Sequence, residues 1–232
     1  WAEDPSNDDP RYDRVKVRQT LPMLAEIGIT PDRLAATAEA MSAEAQTLAW
    51  ATRRWSDDHV TAVAGDLVID RDAVSGLPWA LRTRLFASAI RWFSGSGYKP
   101  RRAALDTFVS ASQYGDGGTL GGVVASREAD VIRLSREPAA ASTPTAAKDG
   151  AIWDHRWRIA GPCAPGLSVG ALGAAGIAAS PNWREIGLPR SSLLALPAVW
   201  NGPALVAAPL VGMAHGWSAT LCPTFADFLD TH

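Results

Sequence analysis

The stretch LGGVVASREADVIRLSR, residues 120–136, decides the fold class of this chain. Its two halves, residues 120–126 and 130–136, are short apolar runs rich in Val and Ile, and residues 127–129 separate them. Such runs joined by a few polar residues are typical of a β-hairpin. Because helix-like sequence precedes the hairpin, we expect an α+β fold: a helical N-terminal and middle segment, the β-hairpin, and then a small mixed α/β C-terminal domain.

The sequence before the hairpin is mainly helical in character. Thr30-Pro31-Asp32 combines a hydroxyl N-cap, a proline at the first helical position and an acid in the first turn. It starts a helix of about 26 residues, with one apolar face that we expect to pack on neighbouring elements. That face holds Leu34, Ala38, Met41, Ala45, Leu48 and Trp55. Further helices are expected at residues 12–24, between Leu77-Pro78 and the glycines of residues 95–97, and at residues 100–114, and a strand at residues 60–70.

The sequence after the hairpin predicts short elements. Residues 137–150 hold two prolines and five alanines and predict a linker. Residues 166–179 are rich in Ala and Gly and predict a small helix, and Asn201-Gly202 between apolar runs predicts a hairpin. Residues 152–159 predict a half-buried strand or hairpin, with Trp153, Trp157 and Ile159 on one side and Asp154, Arg156 and Arg158 on the other.

Composition excludes several protein classes. Hydrophobic residues make up 47% and charged residues 20%, which is typical of a soluble globular protein and not of a disordered one. Two cysteines, Cys163 and Cys222, are too few for a disulfide scaffold, so we expect a cytoplasmic protein. Residues 203–214 are the most apolar stretch, but a membrane helix needs about 20 residues. No basic segment precedes an apolar one near the start, so we expect no signal peptide. Because the first residue is Trp1, we expect the chain to begin inside a longer gene product.

Two groups of residues are weak candidates for chemistry. Residues 94–97, Ser-Gly-Ser-Gly, lack the frame of a phosphate loop and follow a helix, so we interpret them as a helix end. The spacing of His155, Cys163, His215 and Cys222 matches no compact metal-binding pattern. We therefore predict no metal ligands.

The basic residues of the middle segment are more informative. Residues 73–105 contain no Asp or Glu, and the net charge of the whole chain is only −2. Trp79, Trp92 and Tyr98 are interleaved with six basic residues, namely Arg82, Arg84, Arg91, Lys99, Arg101 and Arg102. Such a patch is suited to RNA phosphates. The alternative is a solvated helix face whose acidic partners come from elsewhere in the fold.

The N-terminal residues form a second candidate. Asp4, Ser6 and Asn7 can cap a helix or close a turn. Arg14 and Arg18 lie four positions apart, which places them on one helix face. They are suited either to an acidic partner or phosphate chain, or to ion pairs within the chain.

These residues also resemble a known family. Residues 1–7 (WAEDPSN), 12–14 (YDR), Arg18 and residues 21–22 (LP) are similar in order and spacing to the W-x-E-D-x-S-N…Y-x-R-N-x-x-R…L-P stretch of tRNA(Ile)-lysidine synthetases. Residues 153–157 (WDHRW) resemble the W-D-x-R-[FW] element of that family, and residues 196–202 (LPAVWNG) its P-x-[LV]-W turn. Val15 stands where many members have Asn.

The resemblance implies a function and a division of the chain. These enzymes use ATP to adenylate the wobble cytidine of an isoleucine tRNA and then attach lysine. ATP and Mg²⁺ bind an N-terminal domain with a Ser-Gly-Gly-x-Asp-Ser loop, which this chain lacks and which we expect upstream of Trp1. Residues 1–28 would be the edge of that catalytic domain, 29–136 a helical middle domain with the hairpin, 137–150 the linker, and 151–232 a tRNA-contacting domain.

The resemblance also implies site residues and partners. Arg14 and Arg18 would be catalytic, with Asp4 and Asn7 near the active site, and the six basic residues of the middle segment would bind tRNA. The partners would be tRNA(Ile) with a CAU anticodon and lysine, with no membrane partner, and a homodimer is a further expectation. Without the upstream domain, we expect the chain to bind neither ATP nor Mg²⁺ and to be inactive. The competing hypotheses are a free-standing RNA-binding module and a structural interaction module without enzyme activity.

Overall fold

The structure, a computed structural model, describes residue 9 and residues 11–231. It divides into two compact units, the first ending at Leu48 and the second beginning at Ala49. Helices and three antiparallel sheets make up its regular structure, which confirms the predicted α+β class. The division after Leu48 differs from the boundaries drawn from the sequence, and the functional roles assigned to residues 1–28, 29–136 and 151–232 stay predictions.

The first unit holds helix α1 (Asp13–Glu26) and most of helix α2 (Pro31–His59). The predicted start of α2 is confirmed, because the hydroxyl of Thr30 accepts a hydrogen bond from the N–H of Arg33 at 3.3 Å. The prediction that its whole apolar face is packed is wrong, since Leu34 is 45% and Met41 65% exposed. A helix face is buried only where a second apolar surface covers it. Val15 is the one hydrophobic side chain buried among the described residues before Ala49.

A five-stranded antiparallel sheet organises the first half of the second unit. Its strands are β1 (Val60–Val63), β2 (Asp66–Asp70), β3 (Gly118–Leu120), β4 (Val123–Arg127) and β5 (Val131–Arg136), in the order β1-β2-β5-β4-β3. The predicted hairpin is β4–β5, in which Val124 lies opposite Ser135. The single strand predicted at residues 60–70 is a hairpin, because Ala64 and Gly65 adopt φ of 49° and 86° and reverse the chain.

Three helices follow β2 along the chain: α3 (Arg71–Gly76), α4 (Trp79–Ser94) and α5 (Arg102–Tyr114). Helices α4 and α5 confirm two of the predicted helices. One hydrophobic core contains residues of α4, α5 and the five-stranded sheet, among them Leu85, Phe86 and Phe108, together with Ile132. The rings of Phe86 and Phe108 meet edge to face at 6.1 Å, which joins the two helices over the sheet.

The second half of this unit is built from short strands and helices. They are β6 (Thr145–Ala146), β7 (Ala151–Trp153), β8 (Trp157–Ala160), β9 (Leu167–Ala171), α6 (Gly173–Ala179), α7 (Arg190–Leu194), β10 (Pro197–Asn201), β11 (Ala204–Ala207), β12 (Ser218–Leu221) and α8 (Phe225–Thr231). One sheet has the order β11-β10-β9-β6 and the other β12-β8-β7. The hairpin predicted at Asn201-Gly202 is confirmed as β10–β11, and of the two alternatives for residues 152–159 the structure has the hairpin, β7–β8.

Two predictions for this region differ from the structure. The helix predicted at residues 166–179 is wrong for its first half, which is strand β9, because Val169 is buried and pairs with Val199 of β10 and Thr145 of β6. The segment predicted to be a linker contains β6, so part of it is built into a sheet. Small side chains permitted either conformation locally, and the neighbouring strands decided between them.

Candidate nucleic-acid interface

The corner between α4 and α5 gathers most of the basic residues predicted to bind tRNA. Gly95 ends α4 in the left-handed conformation, with φ of 66°, and its N–H donates to the carbonyl of Arg91 at 2.8 Å. The chain then turns and α5 begins at Arg102. Lys99 and Arg101 lie exposed in this turn, beside Tyr98, which is 88% exposed. We call Arg84, Arg91, Lys99 and Arg101 the basic corner.

Arg82 has a different environment from the other predicted tRNA-binding residues. Its side chain is buried, and its guanidinium donates to Oε1 of Gln113 at 2.7 Å and to the carbonyls of Ser75 and Leu77 at 2.8 Å each. These bonds join α4 to α5 and to the end of α3. Because the group is enclosed and already bonded, we leave Arg82 out of the basic corner.

Arg84 and Arg91 are like charges on the same helix, seven positions apart. Partial burial, and then the positive charge of Arg91, lower the pKa of Arg84 from its ordinary value. The guanidinium of Arg91 lies over the ring of Phe228, 5.5 Å from its centroid. Neither arginine forms a salt bridge within the part of the chain that the structure describes. Their charges are therefore available to an anion.

Arg102 is the member of the predicted set whose charge is already paired. Its Nε lies 2.8 and 2.9 Å from the two carboxylate oxygens of Asp106, one helical turn further along α5. Asp106 is the first acidic residue after the acid-free stretch, residues 73–105. Among the residues described, no such ion pair involves Lys99 or Arg101.

The residues predicted to be catalytic lie in the first unit. Arg14 and Arg18 are both exposed on α1, and the guanidinium of Arg14 lies 5.1 Å from the ring centroid of Tyr12. Asp4 and Asn7 lie outside the described residues. The structure thus places the two arginines on one solvent-facing helix, and their catalytic role stays a prediction.

The environment predicted from the sequence is wrong for two residues of the WDHRW element, residues 153–157. Asp154 and Arg156 were expected opposite the buried tryptophans, yet both are only 2% exposed. The reason is that they lie within the tight turn between β7 and β8, where the alternation of a strand no longer applies. Asp154 accepts from Nε and Nη2 of Arg136 at 3.0 and 2.9 Å, and from the N–H and hydroxyl of Ser142 at 3.0 and 3.1 Å.

Arg156 connects the same turn to α4 and to the first sheet. Its guanidinium donates to the carbonyl of Gly65 and lies 4.5 to 5.5 Å from the ring centroids of Phe93, Trp92 and Trp157. Burial lowers the pKa of Arg156 to about 10, opposed by the charges of Asp154 and Asp66. Arg156 therefore holds the β7–β8 hairpin against α4, and Asp154 holds it against β5.

Asp66 is a second buried carboxylate, and it lies where β2 meets α7. It accepts from the hydroxyl of Ser192 at 2.5 Å and from Arg133 at 3.3 Å, and Arg133 also pairs with Glu128 at 2.6 Å. Burial raises the pKa of Asp66 to about 6, although the bonds from Ser192 and Arg133 act in the opposite direction. Asp66 was not singled out from the sequence, because nothing local indicates that α7 covers it.

Comparison with known proteins identifies the family. No protein-family model matches the chain. A tRNA(Ile)-lysidine synthase of Ruegeria pomeroyi is 41% identical over 228 residues, which cover 98% of this chain and 54% of the relative. This chain is a homologue of part of a tRNA(Ile)-lysidine synthase.

Other matches agree with this assignment. A tRNA(Ile)-lysidine synthase of Methylobacterium sp. is 33% identical over 104 residues, which cover 44% of this chain, and one of Anaplasma marginale is 25% identical over 193 residues, which cover 80%. The chain spans about half the length of the Ruegeria pomeroyi relative, and the matched residues cover 30% and 41% of the other two. The full enzyme's activity and partners are therefore proposals for this chain.

A tRNA(Ile)-lysidine synthase uses ATP, and the residues described here do not fit a site for ATP and Mg²⁺. The sequence at residues 94–97 forms the end of α4, with its backbone N–H groups used for capping and turn contacts. Within the described ranges, no three His, Cys, Asp or Glu side chains gather in a metal-binding group. Among the helices in those ranges, none is both long and apolar enough to cross a membrane.

Proposed function

We propose that this chain is the tRNA-contacting part of a tRNA(Ile)-lysidine synthase and that its basic corner binds the sugar–phosphate backbone of the tRNA. The observation that carries this proposal is the set of four basic side chains in an acid-free stretch, with no ion pair among the described residues. Phosphates supply the missing opposite charge, and each contact releases counterions. Such contacts fix the position of the tRNA rather than read its sequence.

The complete protein would ligate lysine to the wobble cytidine of tRNA(Ile) with a CAU anticodon, converting ATP to AMP and pyrophosphate. The upstream portion would bind ATP and Mg²⁺. Arg14 and Arg18 would stabilise negative charge near that pocket, and Asp4 and Asn7 would shape its edge. The chain alone would form no lysidine, and turnover by the isolated chain would contradict this division of labour.

The binding proposal is tested with a tRNA(Ile) transcript and fluorescence anisotropy between about 50 and 200 mM salt. Replacing Arg91 and Arg101 by Ala should weaken binding. It should also reduce the magnitude of the slope of log association constant against log salt concentration by about 2, because two phosphate contacts are lost. The control replaces Arg127 and Arg190 by Ala, which are exposed and change the net charge equally.

Two results would contradict the proposal. One is an equal loss for the two double variants, which would indicate attraction by overall charge alone. The other is the absence of binding by the unaltered chain at about 50 mM salt, where attraction to phosphates is strongest. That second result would favour the structural interaction module.

A further inference from the structure

The turn between β7 and β8 carries an unusual pair of backbone conformations. Its central residues, Asp154 and His155, have φ of 47° and 63°. Both angles lie in the left-handed region, and turns of this kind are usually built with Asn-Gly, Asp-Gly or Gly-Gly, so the residue that stands in the place of glycine is His155. A residue with a larger side chain persists there only when the surrounding structure compensates for the strain, and such residues cluster at functional sites.

For Asp154, the compensation lies in the buried hydrogen bonds described above. For His155 it does not. The side chain of His155 is exposed, and within the described part of the chain its imidazole takes part in no hydrogen bond or ion pair. Glycine would satisfy the backbone at this position with less strain. The imidazole itself therefore requires an explanation.

The ring of His155 lies beside the C-terminal end of α4. It packs against the backbone of Gly95, so closely that a β-carbon on Gly95 would lie 2.7 Å from its Nδ1. Gly95 is the residue that ends α4, its N–H is bonded to the carbonyl of Arg91, and the side chain of Arg91 turns back toward the carbonyl of Ser96 at 3.4 Å. The ring thus lies at the edge of the basic corner, although it comes from another part of the chain.

Two buried side chains keep the turn in this place. Asp154 is bound to Arg136, and Arg156 is enclosed by aromatic rings of α4. Because the residues on both sides of His155 are fixed, its imidazole is held without having to be ordered when a ligand binds. An N–H donor presented in this way, next to unpaired cations, suits a polyanion.

We propose that His155 is a further RNA contact of the basic corner, whose imidazole N–H donates to the sugar–phosphate backbone of the tRNA. Asp154 and Arg156 act as positioning residues for it. The inference rests on the proposed function, which it extends from α4 and the turn after it to the β7–β8 turn. It explains why a strained, exposed histidine occupies a position that favours glycine.

The test compares melting temperature with affinity for a tRNA(Ile) transcript in the 232-residue chain. His155→Gly removes the imidazole and relieves the left-handed backbone, so its melting temperature should equal or exceed that of the unaltered chain. Its dissociation constant should rise about tenfold or more, as expected for one lost hydrogen bond to a charged group. His155→Gln keeps an N–H donor and should recover part of the affinity.

The chain offers a matched control. His215 is also exposed and has φ of 44°, but it lies in the loop before β12. His215→Gly should have the same effect on stability and leave the dissociation constant unchanged. An equal loss of affinity for both glycine variants, or a lower melting temperature for His155→Gly, would overturn the proposal.

The arginine variants separate this inference from the function on which it rests. If the double variant Arg91→Ala with Arg101→Ala weakens binding and His155→Gly does not, the inference about His155 is wrong. The proposal that the basic corner binds tRNA is then still supported. If neither change affects binding, the proposed function fails together with the inference.

Discussion

Asp154 is the residue whose partners hold the two halves of the second unit together. Its side chain is fully enclosed and pairs with Arg136, which is itself 6% exposed. Replacing Asp154 by Ala leaves the buried Arg136 charge without its opposite charge, and we expect the free energy of unfolding to fall by about 3 to 5 kcal/mol. Urea unfolding measures this change.

The control for this prediction is Asp106→Ala, which breaks the exposed ion pair with Arg102. An exposed pair of this kind contributes less than about 1 kcal/mol. Equal losses for the two variants would mean that burial of the Asp154 pair has no energetic consequence.

Asp66 makes a separate prediction about pH. Its pKa is raised from 3.8 to about 6 by burial, so the folded state binds the proton more tightly than the unfolded state does. The stability contributed by protonated Asp66 is present below pH 4 and is lost as the pH rises through about 6. Relative to the unaltered chain, Asp66→Asn should therefore gain about 3 kcal/mol between pH 4 and 7.

Unfolding by urea at several pH values tests this prediction. Asp72→Asn is the control, because the Asp72 carboxylate is 92% exposed. The difference between this variant and the unaltered chain should stay constant over the same interval. A constant difference for Asp66→Asn as well would contradict the raised pKa.

At the scale of elements, the end of α4 depends on a single glycine. Gly95 has φ of 66° and touches the ring of His155, so an added β-carbon is disfavoured by both the backbone and the neighbour. Gly95→Ala should lower the free energy of unfolding by at least about 1 kcal/mol. Gly97→Ala is the matched control, because nothing lies within 4 Å of its added β-carbon. Thermal unfolding distinguishes the two.

The elements also show where local sequence is informative. Thr30 and Pro31 begin α2 as predicted, and Asn201-Gly202 turns β10 into β11, because capping and turn preferences depend on atoms a few bonds apart. Residues 167–171 form a strand instead of the predicted helix, since their pairing partners β6 and β10 lie elsewhere in the chain. Strand pairing of small residues depends on those neighbours more than on propensity.

At the scale of the whole molecule, the two units should differ in their contribution to stability. Both hydrophobic cores consist of residues that follow Leu48. A chain of residues 49–232 should therefore unfold cooperatively, with a melting temperature within a few degrees of the complete chain, because few buried contacts are removed. It should also keep its affinity for tRNA(Ile), since the basic corner lies within it. Calorimetry and anisotropy measure the two properties, and loss of the cooperative transition would contradict the division.

The sequence alone was sufficient to predict the fold class and most helices and hairpins, and to recognise the family resemblance. All of these depend on residues that are close together in the sequence. It was also sufficient to find the acid-free basic stretch. It could not distinguish Arg82, which is buried and bonded to Gln113, from Arg101, which is exposed. Nor could it show that Asp66 meets Ser192, 126 positions away. Burial and long-range partners decide which charges remain free, and only the tertiary structure brings those partners together.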